Sequence, residues 1–579
     1  LTGNRSGISR RQVLAGSGAA AVAAGTLGYA ASASAQAGEG PWDREADVVC
    51  VGSGAAAGTA AVAAASEGAE VIVLEKMPII GGTTAKSGGV AWFFNHPIHQ
   101  AQGIVDSKAD AMRYAVRYGY PREYDASSAT LGLDETRYKT LEAFYDKGTE
   151  AINQLDKLGA VKFKQFRLFF VDEPAPDYAD HLPENKVPTG RALEPAVGSG
   201  SSEGGASLAK QLAAYLERIE MPILLDTRVT RIVRNAEGRV IGVEADQEGK
   251  LLRIKARKGV VFGTGGYSHN VELCRLHQPW VYGSCALPGS TGDFIPLAQE
   301  AGAKMGNLGY GWRTQVVLGE ALANRAIGLG AFVLPGDSMI LVNKYGQRCV
   351  NEKRDYNDRT KAHFHFDPVH EDYPNHLMVM LFDERSRDYY GGAFPLPKNK
   401  AEQPHLVEGA TWDEVFAKVD AQLAGWAGHT GNWRLQPEFA ANAKEAIGKF
   451  NGYAKAGKDP EFQRGAQLYD TQWHKLFSAK NPDTSFADSG YPNNTMHPFS
   501  ETGPYYAIVL GPGTLDTAGG PQIDHNAQVL DPDNKPIPGL YGAGNCVMAP
   551  TGDAYLGAGG TIGPAVTYGY IAGLHAARS

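Results

Sequence analysis

Residues Ala46–Glu75, ADVVCVGSGAAAGTAAVAAASEGAEVIVLE, decide the fold. Ala46–Val51 is a short apolar run of the kind that forms a buried parallel strand. Gly52-Ser53-Gly54-Ala55-Ala56-Ala57 follows at once, and an alanine-rich helix runs on to Ser66. Gly68-Ala69 turns the chain into a second strand, Glu70–Leu74, which ends on Glu75. This is the G-x-G-x-x-A form of the dinucleotide fingerprint, in a strand–helix–strand setting. Gly52 and Gly54 let a pyrophosphate reach a helix N-terminus, Ala57 allows close packing, and Glu75 can accept from a ribose hydroxyl.

Working outward, Lys76-Met77-Pro78 leads into a second glycine-rich loop, Gly81-Gly82-Thr83-Thr84-Ala85-Lys86-Ser87-Gly88-Gly89. A second loop so soon after the ribose acid suits an extended dinucleotide such as FAD. Trp92-Phe93-Phe94 comes next, an aromatic cluster that suits either a substrate pocket, with Trp92 and Phe93 as its lining, or ordinary core. Gly259-Val260-Val261-Phe262-Gly263-Thr264-Gly265-Gly266 is another apolar strand ending in glycines. No further nucleotide signature occurs until Gly539–Tyr570, GLYGAGNCVMAPTGDAYLGAGGTIGPAVTYGY. The nucleotide region is therefore interrupted, and a substrate site between its parts and the inserted domain is expected.

Length and composition set bounds. The chain has 579 residues, enough for two or more domains, with ordinary apolar and charged fractions of 43% and 20%. A net charge of −8 argues against a nucleic-acid partner. The five cysteines, Cys50, Cys274, Cys285, Cys349 and Cys546, form no C-x-x-C, so neither a zinc ribbon nor a c-type haem is indicated and no metal site is expected. Ser9-Arg10-Arg11-Gln12-Val13-Leu14, a weakly apolar run and Ala35-Gln36-Ala37 resemble a twin-arginine export signal over residues 1–37. This implies a periplasmic or exported protein with no integral membrane segment in the mature chain. Its logic is that folded proteins are carried, so a non-covalent cofactor is loaded before export.

The fingerprint and second loop resemble the succinate dehydrogenase/fumarate reductase flavoprotein superfamily. The resemblance implies an α/β fold, a Rossmann-like FAD-binding domain interrupted by an α+β capping domain that carries substrate. The boundaries read as 46–279 and 499–579 for the FAD-binding parts and 280–498 for the inserted domain. Val229, Thr264-Gly265-Gly266, the Thr291-Gly292-Asp293 loop, Gly544-Asn545 and Thr561-Ile562 would join Gly52, Gly54, Ala57, Glu75, Lys76, Gly82, Thr83, Ser87, Gly88 and Gly89 around FAD. Members that attach FAD covalently carry a histidine in the second loop, where Gly82 stands here, which implies non-covalent FAD.

The element Gly346-Gln347-Arg348-Cys349-Val350-Asn351-Glu352 resembles the superfamily's G-x-R-F-x-N-E. Five residues after its Asn, fumarate and urocanate reductases place a proton-donating arginine; this chain has Tyr356. Their proton-delivery arginine corresponds to Pro335, and Leu515–Ala518 lacks their histidine before Gly519-Gly520. The 3-ketosteroid Δ1-dehydrogenases carry a tyrosine at that place. Their Tyr-x-Gly-x-Gly matches Tyr555–Gly559, and their Pro-Asp-Tyr before Thr-Gly-Arg matches Pro176-Asp177-Tyr178 and Thr189-Gly190-Arg191, with a longer spacer. The resemblance implies α,β-desaturation of a cyclic ketone, either a cyclohexanone-type ring or a 3-oxosteroid. Tyr356 would take the α proton, assisted by Tyr178. Tyr555 and the Gly559 N–H would hold the ketone oxygen, and flavin N5 would take the β hydride. An external electron acceptor of unknown identity follows from that chemistry. The competing readings are a periplasmic reductase of an activated alkene and a flavoprotein without turnover.

Overall fold

The computed structural model describes residues 40–168, 173–196, 204–399, 402–478 and 489–579. The export-signal reading at 1–37 lies outside them, as do residues 479–488 of the polar, Pro- and Gly-rich stretch 477–499, which reads as a long loop.

Two sheets organise the chain. In the first, Arg44–Val51 lies parallel between Val71–Leu74 and the long strand Lys250–Phe262, which pairs parallel with Pro536–Gly542 on its other side. Buried β-branched residues on both faces explain the continuous apolar runs: Val48, Val49, Val71 and Val73 are all inaccessible or nearly so. The outer half of Lys250–Phe262 bends away into an antiparallel meander with Val240–Gln247 and Thr227–Arg234. The helix Ala55–Ser66 packs against the C-terminal helix Ile562–Arg578. That approach is close enough that a Cβ on Gly569 or Gly573 would stand 2.3 or 2.2 Å from the carbonyls of Ala56 and Ala60. The two ends of the chain thus complete one nucleotide-binding layer.

The second sheet is the core of the insertion. Tyr505–Thr517 is its central strand, antiparallel to Met378–Asp383, Gly311–Val317 and Val407–Gly409, with Met339–Val342 beyond Met378–Asp383. Alternate residues serve opposite faces. Val379 and Leu381 pack with Val415, Phe416 and Phe439 on one side, and Met378, Met380 and Phe382 pack with Tyr390 and Leu396 on the other. Both faces are covered, so the strand is apolar throughout. This corrects one sequence boundary: residues 505–517, assigned above to the second FAD-binding segment, belong to the inserted sheet. A continuous apolar strand does not reveal which of two sheets it joins, because pairing is set by distant partners. Among the described residues, no helix is long and apolar enough to cross a membrane, no His, Cys, Asp or Glu cluster could hold a metal, and all five cysteines are free.

Candidate active site

The first sheet ends in a cavity enclosing about 1080 Å³ of open space. Gly52, Gly54, Glu75, Lys76, Gly82, Thr83, Ser87, Val229, Thr264, Gly265, Asp293, Gly544, Asn545, Thr561 and Ile562, all expected from sequence, line it. Gly52 has φ +103°, and a Cβ there would lie 2.5 Å from the Gly263 carbonyl, so only glycine fits. The helices beginning at Ala55 and Ile562 both open on the cavity, and neither has a side-chain cap. The Ala55 N–H donates to Thr84 Oγ1 (3.0 Å) and the Gly563 N–H to the Gly559 carbonyl (3.1 Å); the remaining first-turn N–H groups and the helix dipoles suit anionic groups. Glu75 is nearly buried; its carboxylate accepts from Ser53 (2.5 Å) and from the Met77 N–H (2.9 Å). Lys76 donates to Thr291 and Asp293 across the cavity rim (2.7 and 2.9 Å). Burial pushes the Asp293 carboxyl up, but Lys76, Thr291 and Arg228 together hold it below its ordinary range. The Thr264 hydroxyl is buried without a partner. A cavity on which two helix starts open, lined by a buried acid and an orphaned hydroxyl, fits FAD as a whole.

Four expected residues lie elsewhere. Ala57 is buried under the cavity, where its N–H and Cβ crowd Gly263. Gly88 and Gly89 do not line the cavity; a Cβ on Gly89 would strike the Gly204 backbone at 2.2 Å. Gly266 donates its N–H to Asp516 at 2.9 Å. Ala57, Gly89 and Gly266 meet packing requirements of the glycine loops, whereas a Cβ on Gly88 would make only an ordinary contact with Val90 at 3.9 Å; sequence spacing alone cannot tell a glycine facing a ligand from one facing its own chain. Sequence reasoning also missed Asp516 as a wall of this cavity. It accepts from Gly266, Ser268 and Thr517, Asn545 lies at 3.4 Å, and burial raises its pKa. Its signal was its place before Thr517-Ala518-Gly519-Gly520, where a missing histidine drew attention instead.

Beside the cavity is an aromatic chamber built from remote segments. Tyr178, Tyr356 and Tyr555 meet there with ring centroids 5.3 to 5.4 Å apart. All three are buried. The Tyr178 hydroxyl donates to that of Tyr356 at 3.0 Å. Trp312 packs edge-on to Tyr555 at 5.5 Å, and its indole N–H reaches Asn545 of the cavity wall at 2.9 Å, joining the two spaces. Gly559 has φ +89°, with Val90 and Ala91 backbone atoms 2.5 Å from where a Cβ would lie. Its carbonyl accepts from Trp92 and Gly563 (3.1 Å each), while its buried N–H has no acceptor among the described residues. Burial pushes Tyr178 and Tyr356 well above the ordinary phenol range, and Tyr555 upward against the hydrogen bonds of Tyr356 and Thr561.

Ion pairs fix these tyrosines. Asp177 accepts the Trp92 indole N–H (2.7 Å), the Arg191 backbone N–H (3.1 Å) and the Arg191 guanidinium, which also reaches Asp106 at 2.7 Å. The Pro-Asp-Tyr and Thr-Gly-Arg elements are thereby clamped together, and the spacer between them is free to vary in length. Arg348 pairs with Glu352 and Asp459 (2.9 and 2.8 Å), Arg464 with Glu352 (3.3 Å), and Asn351 with Asp470 (2.9 Å). These bonds anchor the turn that delivers Tyr356. Trp92 and Phe93 are a correction. Both are fully buried in the nucleotide-side core, against Phe94, Phe144 and Phe163, and do not line the chamber. The chamber's other aromatics are Phe166, Tyr310, Trp312, Phe332, Tyr469 and Trp473.

A family model described as an FAD binding domain matches residues 47–562. The chain belongs to that family. It is 31% identical to 4-oxocyclohexanecarboxylate 2-dehydrogenase of Sinomonas cyclohexanicum, over 91% of this chain and 92% of the relative. It is 29% identical to 3-oxosteroid 1-dehydrogenase of Mycolicibacterium smegmatis, over 93% and 98%. A crystal structure of 3-ketosteroid Δ1-dehydrogenase from Sterolibacterium denitrificans, in complex with 1,4-androstadiene-3,17-dione, superimposes with a TM-score of 0.72 at 26% identity, covering 92% of this chain and all of that one. The protein is an FAD-dependent oxidoreductase of the 3-ketosteroid dehydrogenase-like group, with FAD held non-covalently.

Proposed function

We propose that this enzyme introduces a double bond between the α and β carbons of a cyclic ketone, a cyclohexanone-type ring or a 3-oxosteroid, and passes the electrons to an external acceptor. The meeting of Tyr178, Tyr356, Tyr555 and Gly559 beside the nucleotide cavity carries this reading. Losing an α proton requires a polarised carbonyl. The Tyr555 hydroxyl and the unpaired Gly559 N–H are the two donors for its oxygen and for the enolate charge that develops there. Tyr356 is the base. Tyr178 donates to its oxygen at 3.0 Å, a bond that a phenolate would accept once formed, but in the resting enzyme burial and the neighbouring Tyr178 and Tyr555 all raise the Tyr356 pKa. The resting phenol is therefore protonated near neutrality, and turnover climbs with pH. FAD, when bound, supplies the hydride acceptor that no side chain can provide. The chamber has no cation standing where reductases hold theirs, since Tyr356 and Pro335 occupy those places, which weighs against a dicarboxylate substrate.

The test is anaerobic bleaching of the FAD-loaded enzyme by cyclohexanone, 4-oxocyclohexanecarboxylate, a 3-oxosteroid and succinate. Bleaching by a ketone, lost in Tyr356→Phe, is the expected result. Bleaching by succinate alone sinks the desaturase reading. Residues 1–37 are proposed to direct export, and a Lys-Lys replacement of Arg10-Arg11 that leaves secretion unchanged would remove that part.

A further inference from the structure

Three consecutive residues, Arg354, Asp355 and Tyr356, face one buried cluster. Arg354 donates to the Tyr178 carbonyl at 2.6 Å, pairs with Asp470 at 3.3 Å, and lies 5.3 Å above the Tyr469 ring. Tyr469 stands edge-on to Tyr178 at 5.1 Å. Asp355 caps the short helix Tyr356–Lys361, its Oδ1 accepting the Asp358 N–H at 3.0 Å. Two polar atoms in this cluster are buried and unpartnered: Asp355 Oδ2, on a side chain with no exposure, and the Tyr469 hydroxyl, on one that is 1% exposed. One is an acceptor and the other a donor. Leaving either unpaired in a low-dielectric interior is unfavourable, so their survival beside the catalytic pair calls for a role.

We propose that Asp355 and Tyr469 form the rear half of a proton relay, in which the proton taken from the ketone by Tyr356 moves through Tyr178 and Tyr469 to the Asp355 carboxylate. The inference rests on the desaturase reading above. The balance is simple. The α C–H bond breaks, its electron pair stays with the substrate as the enolate, and the proton reaches the Tyr356 oxygen. Each hydroxyl in turn accepts one proton and releases another, directly between Tyr356 and Tyr178 and through an intervening water at Tyr469 and Asp355, whose polar atoms have no direct partner. The last O–H bond forms on Asp355, the proton leaves by way of Asp358 to solvent, and Tyr356 is left as the minor, reactive phenolate whose resting form is the phenol. Asp355 and Tyr469 act through other residues and are positioning residues for the base.

The surroundings of Asp355 suit a group that starts ionised and ends protonated. Burial, then the Asp358 carboxylate, push its pKa up to about 7, against Arg354, the Asp358 N–H and Lys361. Facing it are Tyr118 from the helix Lys108–Gly119, Tyr178 from its loop, Tyr469 from the helix Leu468–Ser478, and Arg359 and Lys361 on its own helix. Asp358 is 36% exposed and accepts from Tyr118 at 2.9 Å, which places a solvent-facing carboxylate next in line.

The experiment uses the FAD-loaded full chain and whichever ketone bleaches it. Asp355→Asn keeps the helix cap, because Asn caps as well as Asp. We expect kcat to fall about 10²-fold with KM little changed, and the acid limb near pH 7 to vanish. An infrared difference spectrum of one anaerobic turnover should show a protonated-carboxyl band in the wild type that Asp355→Asn lacks. Tyr469→Phe should lower kcat and raise the solvent isotope effect. A persisting carboxyl band in Asp355→Asn, or an unmoved acid limb, overturns the relay. If Asp355→Asn does not hold FAD, Tyr469→Phe decides: kcat within twofold of wild type and an unshifted profile overturn it. A wild-type enzyme that no ketone bleaches refutes the desaturase instead, whereas a dead Tyr356→Phe beside a wild-type-like Asp355→Asn refutes the relay alone.

Discussion

The nucleotide cavity and the tyrosine chamber adjoin, joined through Trp312 and Asn545, yet they are built by different means. The cavity is made largely of backbone: glycines such as Gly52 and Gly263 with no room for a Cβ, two helix starts, and short contiguous runs such as 51–56 and 262–265. Its geometry is written locally, because each turn and helix start is specified by neighbouring residues. The chamber is made of single side chains, Tyr178, Tyr356 and Tyr555, brought together from three distant segments. What holds them is a set of buried ion pairs whose partners are equally distant, Asp177 with Arg191 and Arg348 with Glu352 and Asp459. Backbone specifies where a cofactor can sit, and buried charge specifies where the chemistry can happen.

That contrast can be broken most sharply at Tyr356. Tyr356→Phe should lower kcat about 10³-fold while leaving FAD content unchanged, as read by absorbance after gel filtration. If FAD is lost together with activity, the two regions are not separable. In the wild type, stopped-flow reduction should quicken as pH rises above neutrality, since the buried phenol must lose its proton to act. That dependence should be absent from the residual rate of Tyr356→Phe.

A second effect tests the clamp. Arg191→Met leaves the fully buried Asp106 and Asp177 without their cation, which should cost about 3–5 kcal/mol in chemical denaturation. A loss below about 1 kcal/mol would show that the chamber is held by packing alone. On the cavity side, Glu75→Ala should weaken FAD binding by about tenfold or more, the range of a charged hydrogen bond, with kcat at saturating FAD retained. The smallest effect is expected from Trp92→Phe. It removes the bond to Asp177 and should cost about 1–3 kcal/mol of stability, with kcat for the ketone within a few-fold of wild type. A large change in substrate selectivity instead would restore Trp92 to the pocket.

The chain's own order of residues was sufficient for the nucleotide layer. Strand, glycine turn, helix and terminal acid at Ala46–Glu75 predict it, because parallel strands buried on both faces must be apolar and a pyrophosphate turn must lack side chains. The resemblance of Tyr356 and of Tyr555–Gly559 to a known pattern named the chamber's reactive groups. Other features had no local signal. The strand Tyr505–Thr517 is apolar on both faces, so nothing in it says which sheet it completes. Gly89 and Gly266 read like ligand contacts and serve chain packing. Trp92 and Phe93 read like a pocket and fill a core. Asp516, Asp355 and Tyr469 gain their meaning only from groups far away in sequence, since burial, charge and an unmet hydrogen bond belong to an assembled environment rather than to a residue type.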